Sequence, residues 1–212
     1  MSNEKTRIKT ITYTALFAAI STVLMFWSFP LPFMPPFLKL DLSGVPILLC
    51  AFMFGPVPGL MAAAIKNLIN AAFSTSGGIG ELADFLILGS FAATAALVYR
   101  RKHTRRGALI ACAAASGVMV VVGMLANRFL LIPFYMQLMP IEKILSMCAA
   151  VNPMIGSLNT YVLFGAGPFN LVKALVLSLI TFLLYKRLHL LILRESAPVS
   201  TPSGQGTDGA HS

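Results

Sequence analysis

The sequence predicts an all-α integral membrane protein with six transmembrane helices. Two observations carry this prediction: 57% of the 212 residues are hydrophobic and only 11% are charged, and residues 11–29 form a run of 19 residues without a charge. Soluble domains carry about 25% charged residues, so this chain has too few charged side chains for the water-exposed surface of a soluble protein. At ~1.5 Å per helical residue the run extends ~28 Å, about one bilayer core.

Apolar runs separated by polar or Gly/Pro-rich segments give the order of the elements. We expect spans at residues 11–29, 45–54, 60–73, 82–99, 107–127 and 169–193. The second and third spans are shorter than the ~20 residues of a typical span, so we expect them to be tilted or to extend through the breaker at 55–59. Residues 144–167 are apolar enough for a seventh span, but Asn152, Pro153 and Asn159 interrupt them. We therefore assign 134–166 to an outer segment.

The basic residues predict the orientation. The net charge is +9, and 11 of the 16 Lys and Arg lie in three clusters that flank apolar runs: Lys5, Arg7 and Lys9; Arg100, Arg101, Lys102, Arg105 and Arg106; Lys186, Arg187 and Arg194. This pattern is typical of cytoplasmic loops and not of a nucleic-acid groove. Six spans with both termini in the cytoplasm place all three clusters inside. Residues 1–10 then form a cytoplasmic N-terminus, and 194–212, rich in Ser, Gly, Pro and Thr, a disordered cytoplasmic tail.

Polar groups inside apolar spans predict a binding pocket. They are costly in lipid and usually face a cavity or each other; here they are Lys66, Asn67, Asn70, Glu81, Asp84, Asn127, Arg128, Asn170 and Lys173. In the predicted topology most lie in the outer half of the bundle, which indicates a pocket open to the outside. The charges of Lys66 and Lys173 balance those of Glu81 and Asp84, which favours a neutral solute with many hydrogen-bonding groups. The alternative is structural: Lys66 pairs with Asp84, and the asparagines join helices.

The outer connection 30–43 is too apolar for an ordinary loop. It contains four prolines together with Phe33, Phe37, Leu38 and Leu40. Two interpretations stay open: a lid that closes over a ligand, or a loop that rests on lipid headgroups.

Motifs for catalysis, metal binding and ATP hydrolysis are missing from the sequence. The three cysteines are far apart and contain no C-x-x-C, so we expect neither a disulfide nor a metal site. There is no G-x-x-x-x-G-K-[ST] loop to hold ATP phosphates. Glu81 and Asp84 are a close carboxylate pair without partners for a convincing catalytic site. A pocket without its own energy source implies a partner that supplies the energy.

Several short segments stand in a characteristic order and spacing: LDLSGVP at 40–46, FGPVPG at 54–59 with IKN at 65–67, GEL at 80–82 with DF at 84–85, ANR at 126–128 with PFY at 133–135, and PFNLVK at 168–173. Together they resemble one family, the riboflavin-type substrate-binding subunits of energy-coupling-factor (ECF) vitamin transporters. The resemblance covers most of residues 10–190.

The resemblance implies a function and a set of site residues. The chain would bind riboflavin outside a bacterial cell membrane and deliver it inward, toppling in the membrane, with a membrane coupling subunit and two ATPase subunits. Riboflavin would be cargo, so no resident cofactor is expected; binding of flavin mononucleotide stays open. The implied flavin contacts are Asn127, Asn170 and Lys173 through hydrogen bonds, and Leu40, Asp41 and Leu42 through the lid. Tyr135, Phe169 and Phe37 are candidate ring contacts, and Ala15 and Ala19, a small-x-x-x-small ridge, would dock on the coupling subunit.

Three competing interpretations remain. A subunit of the same family could bind another vitamin such as thiamine, with Glu81 as the acidic partner of its positive charge. A small membrane enzyme could use Glu81, Asp84 and Lys66. A structural subunit without a ligand would leave the polar outer half unexplained.

Overall fold

The computed structural model describes residues 2–32, 34–35, 37–74, 76–101 and 104–195, and this part of the chain is mostly helical. Its elements, in order, are α1 Ser2–Phe26, β1 Phe29–Pro30, β2 Lys39–Leu40, α2 Gly44–Phe54, α3 Pro56–Ala71, α4 Ile79–Tyr99, α5 Arg105–Ala126, a π-helical turn π1 Asn127–Leu131, α6 Ile132–Leu138, α7 Ile141–Val151, α8 Leu158–Tyr161, a second π-helical turn π2 Val162–Ala166, and α9 Gly167–Glu195.

Four helical segments in the described part are long and apolar enough to cross a membrane: Glu4–Phe26, Ile79–Tyr99, Arg106–Leu138 and Leu158–Leu184. Helix α2 is apolar but has 11 residues, and α3 has 16. At ~1.5 Å per residue these two helices extend ~16 and ~24 Å, less than a ~30 Å hydrocarbon core. The protein is therefore a multi-pass membrane protein with two shorter helices among its long ones.

The break between α2 and α3 is much narrower than the predicted breaker at 55–59. Only Gly55 leaves the helical conformation, with φ of 102°, and α3 starts at Pro56. Proline at the first position of a helix loses no hydrogen bond, because that N–H would have no partner within the helix. Gly59 lies in the first turn of α3, and a Cβ there would come within 2.6 Å of the Ala51 Cβ. The glycine thus lets α3 pack closely on α2.

Three long helices extend well beyond the predicted spans. Helix α1 begins at Ser2, nine residues before the predicted start at 11, and it ends at Phe26 instead of 29. Helix α5 continues through π1 into α6 and ends at Leu138, eleven residues after the predicted end at 127. Pro133 lies in the first turn of α6, directly after the π-helical turn, and the altered hydrogen-bond register there accommodates the missing N–H. In the same way α8 and π2 extend α9 toward the N-terminus, to Leu158. Residues 134–166 therefore contain helical continuations as well as α7.

Residues 141–157 hold one short helix. Helix α7 ends at Val151, and Asn152 has extended backbone angles. Eleven residues extend ~16 Å and are too short to cross a bilayer. The predicted interruption at Asn152 and Pro153 coincides with this helix end, whereas Asn159, the third residue predicted to interrupt the segment, lies within α8.

The two ends of the connection after α1 are held together by a short β-hairpin. The all-α prediction did not include these strands. Phe29 pairs with Leu40 and Pro30 with Lys39 in two antiparallel strands. At the other terminus, α9 includes Arg194 and Glu195, which the predicted tail had contained. The remaining residues of that tail, 196–212, lie outside the described residues.

The buried side chains form two clusters. The larger cluster contains side chains from each of the first five helices and from α9. Many of them are alanines, among them Ala62, Ala92 and Ala111. Small residues let helices approach closely where lipid provides no hydrophobic driving force. The second cluster lies around Leu38 and Tyr161 and involves the hairpin connection, α7 and π2. A polar cavity lies where the two clusters meet.

Candidate substrate-binding site

The cavity lies at one end of the bundle and has a volume of about 220 Å³. It is lined by the end of α1, the connection from Phe37 to Asp41, the start of α4, π1, α6 and the start of α9. The side chains that line it are Met25, Ser28, Phe37, Leu38, Lys39, Asp41, Glu81, Ala83, Asp84, Ile87, Asn127, Leu131, Tyr135, Phe169, Asn170 and Lys173, together with Gly80. Basic residues of all three clusters, among them Lys5, Arg106 and Lys186, lie at the opposite ends of α1, α5 and α9.

The connection 30–43, called the lid below after that prediction, contributes part of the cavity wall. Phe37, Leu38, Lys39 and Asp41 all line it, and Leu38 is only 4% exposed. Phe33 lies outside the described residues.

One wall of the cavity is a buried ionic network of two lysines and two aspartates. Lys173 Nζ lies 2.9 Å from Asp41 Oδ2 and 3.2 Å from Asp84 Oδ1. Lys66 Nζ lies 2.5 Å from the other oxygen of Asp84 and 2.9 Å from Ser43 Oγ. The four charges cancel. The balance predicted for the buried charges is correct, but Asp41 takes the place assigned to Glu81.

Ser43 joins the lid to this network. Its backbone N–H donates to Asp41 Oδ1 at 2.9 Å, and its hydroxyl donates to the same oxygen. Its carbonyl accepts a hydrogen bond of 2.6 Å from Ser21 on α1. The end of the lid is thus fixed to α1, α3, α4 and α9 together.

The pKa of Asp41 lies below its ordinary value. Burial by itself would raise this pKa, but the Lys173 ammonium opposes that effect, and Lys66 and the Ser43 hydrogen bond add to the lowering. Asp41 is therefore ionised at neutral pH and holds Lys173 as an ion pair. An ammonium has three donors, and Lys173 uses two on Asp41 and Asp84. One donor remains for a solute.

Two asparagines next to the π-helical turns form the second polar wall. Asn127 starts π1; its Nδ2 donates to Gly123 O at 2.8 Å, and its Oδ1 accepts from the Tyr161 hydroxyl at 2.7 Å. Asn170 follows π2, and its Nδ2 donates to Ala166 O at 2.8 Å. Each amide keeps one N–H and at least one lone pair for a ligand. Single π-helical turns occur frequently at functional sites, where they change which side chains point inward.

A further part of the cavity wall is aromatic. Phe37 packs on Tyr135 with ring centroids 5.3 Å apart, and on Tyr161 at 5.8 Å. Phe169 is buried at 6% exposure and also lines the cavity. All three predicted ring contacts, Phe37, Tyr135 and Phe169, therefore face this space. Such a wall accepts a flat ring.

The structure separates some predicted residues from the cavity. Leu40 is buried beside it without lining it, and Leu42 lines a different, apolar groove of about 500 Å³ between α1, α2 and α9. Lys66 is fully buried and does not line the cavity. Its ion pair with Asp84 confirms the structural alternative for these two residues. Asn67 donates to Ala63 O at 3.0 Å on its own helix.

Sequence reasoning missed the side chains of Ser43 and Tyr161 as supports of the site; for Ser43 the resemblance implied only main-chain contacts, as part of the lid around Leu40–Ser43. Tyr161 lies 34 residues from Asn127, and no local pattern indicates that the two side chains meet. Glu81 lines the cavity but accepts a hydrogen bond of 2.6 Å from Ser74 Oγ.

The fold and the cavity together define a class of protein: a multi-pass membrane protein with a polar cavity of balanced charge at one end of its helices. Comparison with known proteins agrees. The family profile described as "ECF transporter, substrate-specific component" matches residues 9–185. A solved structure, described as the S component of a bacterial ECF transporter, superposes with a TM-score of 0.70 at 34% identity and covers 88% of this chain and 98% of that one.

Curated relatives point in the same direction. Riboflavin transporter RibU of Staphylococcus aureus (strain TCH60) is 37% identical over 174 residues, 82% of this chain and 87% of the relative. Riboflavin transporter FmnP of Bacillus subtilis (strain 168) is 24% identical over 185 residues, 86% of this chain and 93% of the relative. The chain belongs to the family of ECF transporter substrate-specific components, and it is a transporter component and not an enzyme.

Proposed function

We propose that this chain is the riboflavin-binding subunit of an ECF-type uptake transporter in a bacterial cell membrane. The observation that carries the proposal is the composition of the cavity: aromatic side chains and a polar network whose charges cancel border the same space. Riboflavin has the matching chemistry, a flat fused ring and a neutral chain of hydroxyl groups. The names of the two curated relatives support the same ligand.

The polar groups suit hydroxyl and ring acceptors better than a phosphate. Asn127 and Asn170 each offer donors and acceptors, and Lys173 offers one remaining donor while its charge is neutralised by Asp41 and Asp84. A phosphate ester would require uncompensated positive charge. We therefore propose riboflavin as the transported cargo and expect flavin mononucleotide to bind more weakly.

The proposed topology has six spans with the termini in the cytoplasm. This orientation places the three basic clusters inside, as the positive-inside rule requires, and opens the cavity to the outside. In this topology α2 and α3 are the second and third spans, shorter than the others.

A direct test titrates detergent-purified protein with riboflavin and follows flavin fluorescence. We expect stoichiometric quenching that Asn170→Ala and Lys173→Ala weaken. Asn159→Ala and Lys143→Ala, exposed residues of the same types, are matched controls and should leave quenching unchanged. Flavin fluorescence that does not change on adding wild-type protein would refute the riboflavin assignment, and tight binding of thiamine instead would favour the alternative vitamin.

We further propose that the outer face of α1 docks on a membrane coupling subunit that works with two ATPase subunits. Ala15 and Ala19 are exposed on this face, beside Leu16 and Ile20 at 52% and 42% exposure. A ridge of small residues lets another helix approach closely. Replacing both alanines by Trp should abolish riboflavin uptake by cells that hold the whole transporter while binding by the isolated subunit persists. Normal uptake by this variant would contradict the docking proposal.

A further inference from the structure

A second cavity adjoins the one described above. It has a volume of about 260 Å³ and is lined by Phe37, Tyr135, Met139, Ile144 and Met147. Phe37 and Tyr135 line both cavities. The two spaces are therefore separated by one layer of side chains, the ring pair whose centroids lie 5.3 Å apart.

The first cavity alone is small for a flavin. Its volume of about 220 Å³ is below the ~300–1,000 Å³ of typical small-molecule sites. A ligand with three fused rings needs further room in the plane of the ring. If the side chains of Phe37 and Tyr135 move apart, the first cavity becomes continuous with the second, because both residues line both cavities. Phe37 belongs to the lid connection, so a movement of the lid also moves this wall.

The chemistry of the second cavity complements that of the first. Every side chain that lines it is apolar or aromatic, whereas Asn170, Lys173 and Asp41 lie in the first cavity. Ile144 lines the second cavity and is only 2% exposed, so this part of the cavity wall is tightly packed. Met139 and Met147 are flexible and polarisable, so they adapt to an inserted apolar group.

We propose that this second cavity is a subsite for the dimethylbenzene edge of the flavin ring and that Met147 and Ile144 set the preference for that edge. The inference rests on the proposed function. The flavin would pass between Phe37 and Tyr135, with its methyl groups toward α7 and its polar parts toward Asn127, Asn170 and Lys173.

The test compares riboflavin with 7,8-didemethylriboflavin, which lacks both ring methyl groups, in fluorescence titrations of the purified full-length protein. Burial of two methyl groups corresponds to an affinity difference of about 15-fold, so the wild type should bind riboflavin about 15-fold more tightly. Met147→Trp fills the subsite and should bind both flavins with equal affinity. Met136→Trp, at a residue of α6 that is 47% exposed, is the matched control and should keep the wild-type preference.

Two results would overturn the subsite. One is a wild type that binds both flavins equally tightly, a measurement that needs no variant to fold. The other is Met147→Trp with the wild-type preference intact. Wild-type protein that binds neither flavin would instead refute the proposed function, so the two failures are distinguishable.

Discussion

Substitution of Gly123 by alanine should weaken binding through a neighbour on another helix. Gly123 lies on α5, and a Cβ built there would overlap the Asn170 side-chain amide on α9. The Gly123 carbonyl also accepts the hydrogen bond from Asn127 Nδ2 at 2.8 Å. The missing side chain therefore lets α5 and α9 approach closely and keeps both amides in place.

The magnitude follows from what Asn170 would lose. Displacement of its amide breaks the 2.8 Å bond to Ala166 O and two possible bonds to a ligand. Neutral hydrogen bonds contribute about 1 kcal/mol each, so two ligand bonds correspond to about 2 kcal/mol, or roughly 30-fold in Kd. Overpacking costs a further ~1–3 kcal/mol of folding stability.

The assay is riboflavin titration together with thermal unfolding in detergent. Gly117→Ala is the matched control, because it is on the same helix and a Cβ there meets no atom within 4 Å; it should bind as the wild type does. A double-mutant cycle isolates the cause: in an Asn170→Ala background, Gly123→Ala should add little further loss of affinity. Wild-type binding and stability of Gly123→Ala would refute the reasoning, and so would fully additive losses in the cycle.

Three further predictions concern the groups that support the cavity. Asp84→Asn leaves Lys66, fully buried, without its carboxylate at 2.5 Å and should lower the free energy of unfolding by about 3–5 kcal/mol. Tyr161→Phe removes the donor to Asn127 Oδ1 at 2.7 Å and should cost about 1 kcal/mol of stability and weaken riboflavin binding several-fold. The pKa of Asp41 is lower in the folded protein than its ordinary value, so its contribution to stability should be complete above about pH 4 and lost as the pH falls through the folded pKa.

Thermal unfolding of purified variants checks all three. Glu81→Gln, half-buried at the same cavity, is the control for Asp84→Asn and should lose far less stability. Tyr13→Phe, whose ring stacks on Phe54 away from the cavity, is the control for Tyr161→Phe. For the pH dependence, Asp41→Asn should show a smaller loss of stability below pH 4 than the wild type; equal losses would contradict the role of this carboxylate.

The sequence by itself determined the class of the protein and the neighbourhood of its site. Long apolar runs and flanking basic clusters report whether each segment lies in lipid or water, and this information is local in the chain. The same locality made the pairing of Lys66 with Asp84 predictable, because α3 and α4 are consecutive helices. The predicted contacts Asn127, Asn170 and Lys173 were found together in one cavity because costly polar groups in lipid converge.

Only the tertiary structure decided how those groups are held. Asp41 meets Lys173 across 132 residues, and Tyr161 meets Asn127 across 34; such contacts depend on how the lid and α9 close on the bundle. The helix through Pro133 and its π-helical turn likewise contradicted the local expectation of a helix end. The type of a residue indicates whether it prefers lipid or water. Its hydrogen-bond partner, in contrast, depends on the packing of helices that are remote in sequence.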